Sequence, residues 1–215
     1  MTAIKICGIT RHEDADAAVN LGVHALGFVL WAGSPRSVSL DQMAQVVSEL
    51  PPLITPVGVF VSPTADDVRR AVEHGIRVAQ IHGDEPAWGG RTPATILRAV
   101  RLSKTAATGL DPEIPGARTV LLDAHDDVLH GGTGKTVDWE RAAEVARTRR
   151  VMLAGGLTAA NVAEAIRIVQ PYGVDVASGV EERPGIKSLL RLRHFVAAVR
   201  RANVEAADDA MEELS

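Results

Sequence analysis

Eight short apolar runs, interleaved with helical segments at an average spacing of about 25 residues, constrain this chain more than any other feature. The runs cover residues 3–7, 25–30, 55–61, 78–81, 99–103, 119–122, 151–154 and 174–177. Helices are expected over 14–21, closed by Gly22, over 40–50, and from Pro63-Thr64-Ala65-Asp66 to Gly75. Further helices are expected somewhere in 86–97, poorly defined, from near Asp138, over 159–169 with Thr158 as cap, and over 187–201. Residues 104–118 hold two Pro and two Gly without a helical period, so the fifth helix is expected to be shortened or absent. Strands alternating with helices imply a parallel α/β sheet, either doubly wound or closed. The doubly wound form would carry a glycine-rich fingerprint after the first strand, and none is there. The expected fold is therefore a single (β/α)8 TIM barrel over residues 1–201, followed by an acidic tail over 202–215.

Composition removes several classes of function. Hydrophobic residues make up 46% of the 215, enough for a large core, yet no apolar stretch approaches the roughly 18 residues of a membrane span. The first strand starts at once, without a basic region and apolar signal core, so a cytoplasmic location is expected. A single cysteine excludes an internal disulfide framework. The net charge of −4 lies largely in Glu205, Asp208, Asp209, Glu212 and Glu213; the remaining 22 acidic residues face 23 basic ones. With aromatics at only 3% and no basic face, a nucleic-acid partner is not expected.

In such a barrel the active site lies at the C-terminal ends of the strands, so the residues just after each run carry the information. Cys7-Gly8 follows the first, Ser34-Pro35-Arg36 the second, His82-Gly83-Asp84 the fourth and Asp123 the sixth. Gly155-Gly156 follows the seventh and Ser178-Gly179 the eighth. A lone thiol at a strand tip is a candidate nucleophile or base, or a small apolar residue that merely packs. Glycine loops after strands seven and eight form the usual phosphate cradle of this fold, although glycine also serves as a plain turn former. Gly131-Gly132-Thr133-Gly134-Lys135-Thr136 fails as a nucleotide loop because Leu129 stands where a glycine is required. It reads as a lid, with Gly132, Gly134 and Lys135 closing over the site, or as an ordinary surface loop. His82 either orients substrate or bonds its neighbours. The other histidines, His12, His24, His74, His125, His130 and His194, lack metal-ligand spacing, and no metal is expected. Lys5 and Cys7 share one face of the first strand, which barrel closure sets beside the eighth; Lys5 is expected to pair with Asp175 there.

Residues 5–10 (Lys-Ile-Cys-Gly-Ile-Thr), Gly27-Phe28-Val29, Ser34-Pro35-Arg36, Gln80-Ile81-His82-Gly83 and Leu122-Asp123-Ala124 together resemble the phosphoribosylanthranilate isomerase family of tryptophan biosynthesis. The stretches over 131–139, 153–157 and 174–181 resemble it too, in order along the chain. The resemblance implies an Amadori rearrangement of N-(5-phosphoribosyl)anthranilate to the 1-deoxyribulose 5-phosphate derivative, without cofactor or metal. It implies Cys7 as general base, Asp123 as general acid, and Arg36 as the residue that holds the anthranilate part. To donate a proton Asp123 must enter the reaction in its acid form, which burial or nearby negative charge would favour. Three departures stand out: His24 replaces an acidic residue, Leu30-Trp31 stands where phenylalanine is more usual, and Ala177 replaces a serine, removing a hydroxyl from the phosphate end.

Two rival readings remain. A histidine-pathway or dual-substrate isomerase is similar to the branch that uses aspartates at the ends of strands one and five, where this chain has Cys7 and Ser103-Lys104. A catalytically idle sugar-phosphate sensor would use the cradle alone and tolerate loss of Cys7. The expected partner is one small-molecule substrate, with no membrane contact; a monomer is expected, a homodimer being the alternative.

Overall fold

Short apolar strands satisfy their backbone only by pairing on both edges, and here the pairing closes on itself. The computed structural model describes residues 1–101, 119–123 and 139–212. Its strands are β1 (Ala3–Cys7), β2 (Ala25–Val29), β3 (Thr55–Val61), β4 (Val78–His82), β5 (Thr95–Arg101), β6 (Thr119–Asp123), β7 (Arg150–Ala154) and β8 (Gly173–Val176). They form a closed parallel barrel in sequence order, with β8 returning to β1.

The period of two sorts each strand into an outward and an inward set. Ile4 and Ile6 of β1, Val120 and Leu122 of β6, and Leu153 of β7 face outward into the main core. There they meet Met43 of α2 (Leu40–Ser48), Val68 of α3 (Ala65–Glu73), Ile166 of α5 (Val162–Val169) and Phe195 of α6 (Leu189–Glu212). Each such buried side chain contributes about 1.5–3 kcal/mol. Two helices are started by reciprocal caps: Ser39 with Gln42 for α2, and Thr64 with Asp67 for α3. The remaining two are α1 (His12–Asn20) and α4 (Trp139–Ala146).

Inward side chains fall into layers drawn from alternate strands, as the register and tilt of such a barrel require. Going up the barrel, Lys5, Val57, Leu97 and Met152 make one layer and Gly27, Gln80, Leu121 and Asp175 the next. Cys7, Val59, Ala99 and Ala154 lie above them, and Val29, His82, Asp123 and Ala177 form the rim.

The structure corrects the sequence reading in four places. No helix lies between β4 and β5, where Pro86, Gly89, Gly90 and Pro93 interrupt any helical turn, and β5 starts at Thr95 rather than Ala99. Thr158 does not cap a helix beginning at Ala159; Asn161 accepts from the Thr158 amide at 2.7 Å within a turn, and α5 starts at Val162. The last helix starts at Leu189 rather than Lys187, because Lys187 ends an antiparallel hairpin, β9 (Glu181–Arg183) and β10 (Ile186–Lys187). Helix α6 then runs unbroken past Arg201 to Glu212, with Ala202 buried and Asn203 exchanging hydrogen bonds with the backbone of Thr2. The stretch 104–118, where the fifth helix is expected to be shortened or absent, and the expected lid residues Gly132, Gly134 and Lys135 lie outside the described residues.

Candidate active site

Polar groups gather where β8, β1 and β2 meet. The Lys5 ammonium, 1% exposed, donates to Asp175 Oδ1 at 2.9 Å, so the pair expected from strand closure is present. Directly above it Cys7 is buried among Val29, Val59 and Ala177. Gly27 makes room for both: a Cβ there would stand 2.9 Å from Cys7 Sγ and 3.0 Å from Lys5 Nζ, so any larger residue would push thiol and ammonium aside. Sequence reasoning recorded Gly27 only as part of a motif; its function is to leave space.

Burial pushes the Cys7 thiol up from its ordinary value, while the Lys5 ammonium, and more weakly that of Lys187, pull it down. Lys5 shows the opposite balance: burial would strip its proton, but Asp175 and Cys7 outweigh burial and hold it higher than usual. Lys5 and Asp175 thus form a buried ion pair directly beneath the thiol. An ammonium is in place to stabilise the thiolate when it forms.

A second cluster covers the first. Arg36 forks onto Glu181, its Nε 2.9 Å from Oε1 and its Nη2 2.7 Å from Oε2. Lys187 Nζ donates to Glu181 Oε1 at 2.8 Å and to the Cys7 carbonyl oxygen at 2.6 Å. Burial would raise the Glu181 carboxyl, but the bonds from Arg36 and Lys187 outweigh it and hold it low. Lys187 is lowered by burial, against the pull of Glu181. Neither Glu181 nor Lys187 was singled out from sequence as a site residue. Glu181 ended a matching stretch, and Lys187 was read as the start of a helix.

Asp123 closes β6 on the inward face, two residues beyond the interior Leu121, with Arg101 and Ala154 as its register partners. It is half-buried and one layer above Cys7, on the same inward face of the barrel, separated from β1 by β7 and β8. His82, on the rim of β4, lies with its Nε2 2.9 Å from Nε2 of Gln80. Gln80 is itself 2% exposed, and its Oε1 has no hydrogen-bond partner among the described residues.

The glycine loops also converge. Gly156, Ser178 and Gly179 line one groove of about 540 Å³, together with Leu157, Thr158 and, from α6, Arg191 and His194. Gly155 precedes this groove without lining it. A short 3-10 turn, Ser178–Val180, places its amides at the lip. His194, read from sequence as an ordinary surface histidine, is exposed and belongs to this groove. Among the described residues no His, Cys, Asp and Glu cluster is arranged to hold a metal ion. No described helix is long and apolar enough to cross a membrane.

A closed parallel barrel with a buried thiol at the end of its first strand and glycine loops after its seventh and eighth is an enzyme barrel, with its machinery at the C-terminal rim. Residues 4–198 match the family model described as N-(5'-phosphoribosyl)anthranilate isomerase, and the chain belongs to that family. A relative of that name from Pelobacter propionicus is 43% identical over 209 residues, which span 96% of this chain and 99% of the relative. One from Chromohalobacter salexigens is 44% identical over 92% of this chain and 94% of its own. Among solved structures, phosphoribosyl anthranilate isomerase from Thermus thermophilus superimposes with a TM-score of 0.80 at 37% identity, covering 93% of this chain and 99% of the other. A phosphoribosyl anthranilate isomerase in complex with reduced 1-(o-carboxyphenylamino)-1-deoxyribulose 5-phosphate superimposes with a TM-score of 0.77 at 31% identity, with the same coverage.

Proposed function

We propose that this chain catalyses the Amadori rearrangement of N-(5-phosphoribosyl)anthranilate with Cys7 as general base and Asp123 as general acid. Asp123 protonates the furanose ring oxygen; the C1–O bond breaks as the anthranilate nitrogen donates its lone pair, leaving a cationic Schiff base. That cation acidifies the C2 hydrogen, which the Cys7 thiolate removes to give an enolamine; protonation at C1, with loss of the C2 hydroxyl proton, yields the ketone. No atom enters or leaves, so the step needs no co-reactant.

The observation that carries this reading is the placement of a thiol and a carboxyl in adjacent layers of one barrel mouth, with the Lys5 ammonium beside the thiol. Arg36 takes the anthranilate carboxylate, His82 contacts the sugar from the rim, and the backbone around Gly155, Gly156, Ser178 and Gly179 seats the phosphate. Gly132, Gly134 and Lys135 belong to a lid on this reading. On this reading the working unit is a monomer, and a lone reduced thiol suits the cytoplasm.

The test is a coupled assay with phosphoribosylanthranilate on the wild type, Cys7→Ala and Asp123→Ala. Each variant is expected to lose at least about a hundredfold in kcat. Near-normal turnover in either would remove its assigned role, and an inert wild type would favour a sugar-phosphate sensor.

A further inference from the structure

Glu181 lies where two functions meet, and its surroundings are more elaborate than a structural ion pair needs. It is 4% exposed, and both oxygens are occupied: Oε1 by Arg36 Nε, Lys187 Nζ and the Gly185 amide at 3.2 Å, Oε2 by Arg36 Nη2 and, at 3.1 Å, Nε. Arg36 is laid across Gly8, the residue after Cys7: a Cβ there would stand 2.7 Å from Arg36 Cδ, and its φ of +75° also favours glycine. With Nε and Nη2 turned to Glu181, the Nη1 edge has no partner among the described residues, and the side chain remains 23% exposed. Lys187 continues the chain inward to the carbonyl oxygens of Cys7 and, at 3.3 Å, Ala177. The hairpin that carries Glu181 and Lys187 is itself pinned. Thr10 donates to the Gly185 carbonyl at 2.5 Å, and the Lys187 amide donates to Asp14 at 3.1 Å.

Glu181 is shared between Arg36 and Lys187, so the part-exposed Arg36 fork is not fully neutralised and stays open to a further anion. We propose that Glu181 is a positioning and specificity-determining residue. It holds the Arg36 fork with its outer edge toward the mouth, so that the site selects substrates bearing a carboxylate on the arylamine. Through Lys187 it ties that fork to the strand end carrying Cys7. This rests on Arg36 meeting the aryl carboxylate, as proposed above.

The experiment compares kcat/KM for N-(5-phosphoribosyl)anthranilate and for the aniline conjugate lacking the carboxylate. The proteins are the wild type, Glu181→Gln, Glu181→Asp, Arg36→Met and the Glu181→Gln/Arg36→Met double variant. The wild type should prefer the carboxylated substrate by about tenfold or more. Glu181→Gln should cut that preference at least about tenfold, chiefly through KM, Glu181→Asp should restore part of it, and the double variant should match Arg36→Met alone. Equal losses on both substrates, or losses that multiply in the double variant, would overturn the proposal. Arg36→Lys, which leaves Glu181 with a cation but no fork, guards against misfolding of Glu181→Gln and should lose the same preference. A wild type inert toward both conjugates would instead defeat the isomerase reading. Fluorescence titration with anthranilate and aniline would then decide this proposal separately: tighter anthranilate binding abolished in Glu181→Gln supports it, and equal binding overturns it.

Discussion

The two sides of the barrel interior are built on opposite principles. Below the rim, the inward residues of β5, β6 and β7 are Leu97, Ala99, Leu121, Met152 and Ala154, an apolar cluster needing no partner. Along β8, β1 and β2 they include Asp175, Lys5 and Cys7, roofed by Lys187, Glu181 and Arg36. The apolar arc stabilises the fold by removing surface from water. The polar arc contributes little net stability, because burying each ion costs several kcal/mol and pairing only offsets that. The chain keeps charges in its core on the side where Cys7 opens to the mouth. Below the rim, packing and charge are thus assigned to different arcs of one cylinder; at the rim Asp123 of β6 brings a carboxyl onto the apolar side.

The largest effect should come from breaking the polar pair. Lys5→Met leaves Asp175 buried alone and should cost about 3–5 kcal/mol in urea unfolding, most of it recovered in Lys5→Met/Asp175→Leu. A loss below about 1 kcal/mol would mean the pair is solvated and the contrast false. Next, Leu121→Ala in the apolar arc should cost about 2–5 kcal/mol while the folded fraction keeps its kcat; a drop in turnover per folded molecule would show that the arcs are not independent.

The subtlest effect is on titration. Burial raises the Cys7 thiol, so its alkylation by iodoacetamide in the ligand-free protein should climb with an apparent pKa above about 8.5, and Lys5→Met should move it higher. Because the folded value exceeds the unfolded one, the thiol's contribution to stability is fully present below the unfolded value. It is lost as pH rises through the folded one. An alkylation midpoint near or below 7 would mean that Lys5 and Lys187, not burial, set the thiol.

The sequence disclosed the barrel because seven of its eight strands begin as compact apolar runs close to their observed starts. The eighth case, β5, was misplaced because Thr95, Arg98 and Arg101 break its run, and the alternation of Leu97 and Ala99 inward with Ile96 and Val100 outward shows only once both faces are known. The Lys5–Asp175 pair was legible because period two and closure of the barrel place it without further information. The Glu181 hub was not. It joins a loop after β2, a hairpin after β8 and the end of β1, and no local pattern reports such a meeting. Thr158 misled for a related reason: a good capping residue followed by alanines does not reveal that Asn161 will turn the chain once more before the helix.

The central claim concerns where the reacting carbon lies, and a crystal structure of this protein with reduced 1-(o-carboxyphenylamino)-1-deoxyribulose 5-phosphate tests it most directly. The account predicts Cys7 Sγ roughly 3–3.5 Å from C2 and an Asp123 oxygen about 2.6–3.2 Å from the sugar oxygen that was in the ring, on opposite sides of the chain. A ligand bound with its C2 beyond reach of the sulfur, or with the thiol still enclosed by Val29, Val59 and Ala177 and out of contact, would contradict it.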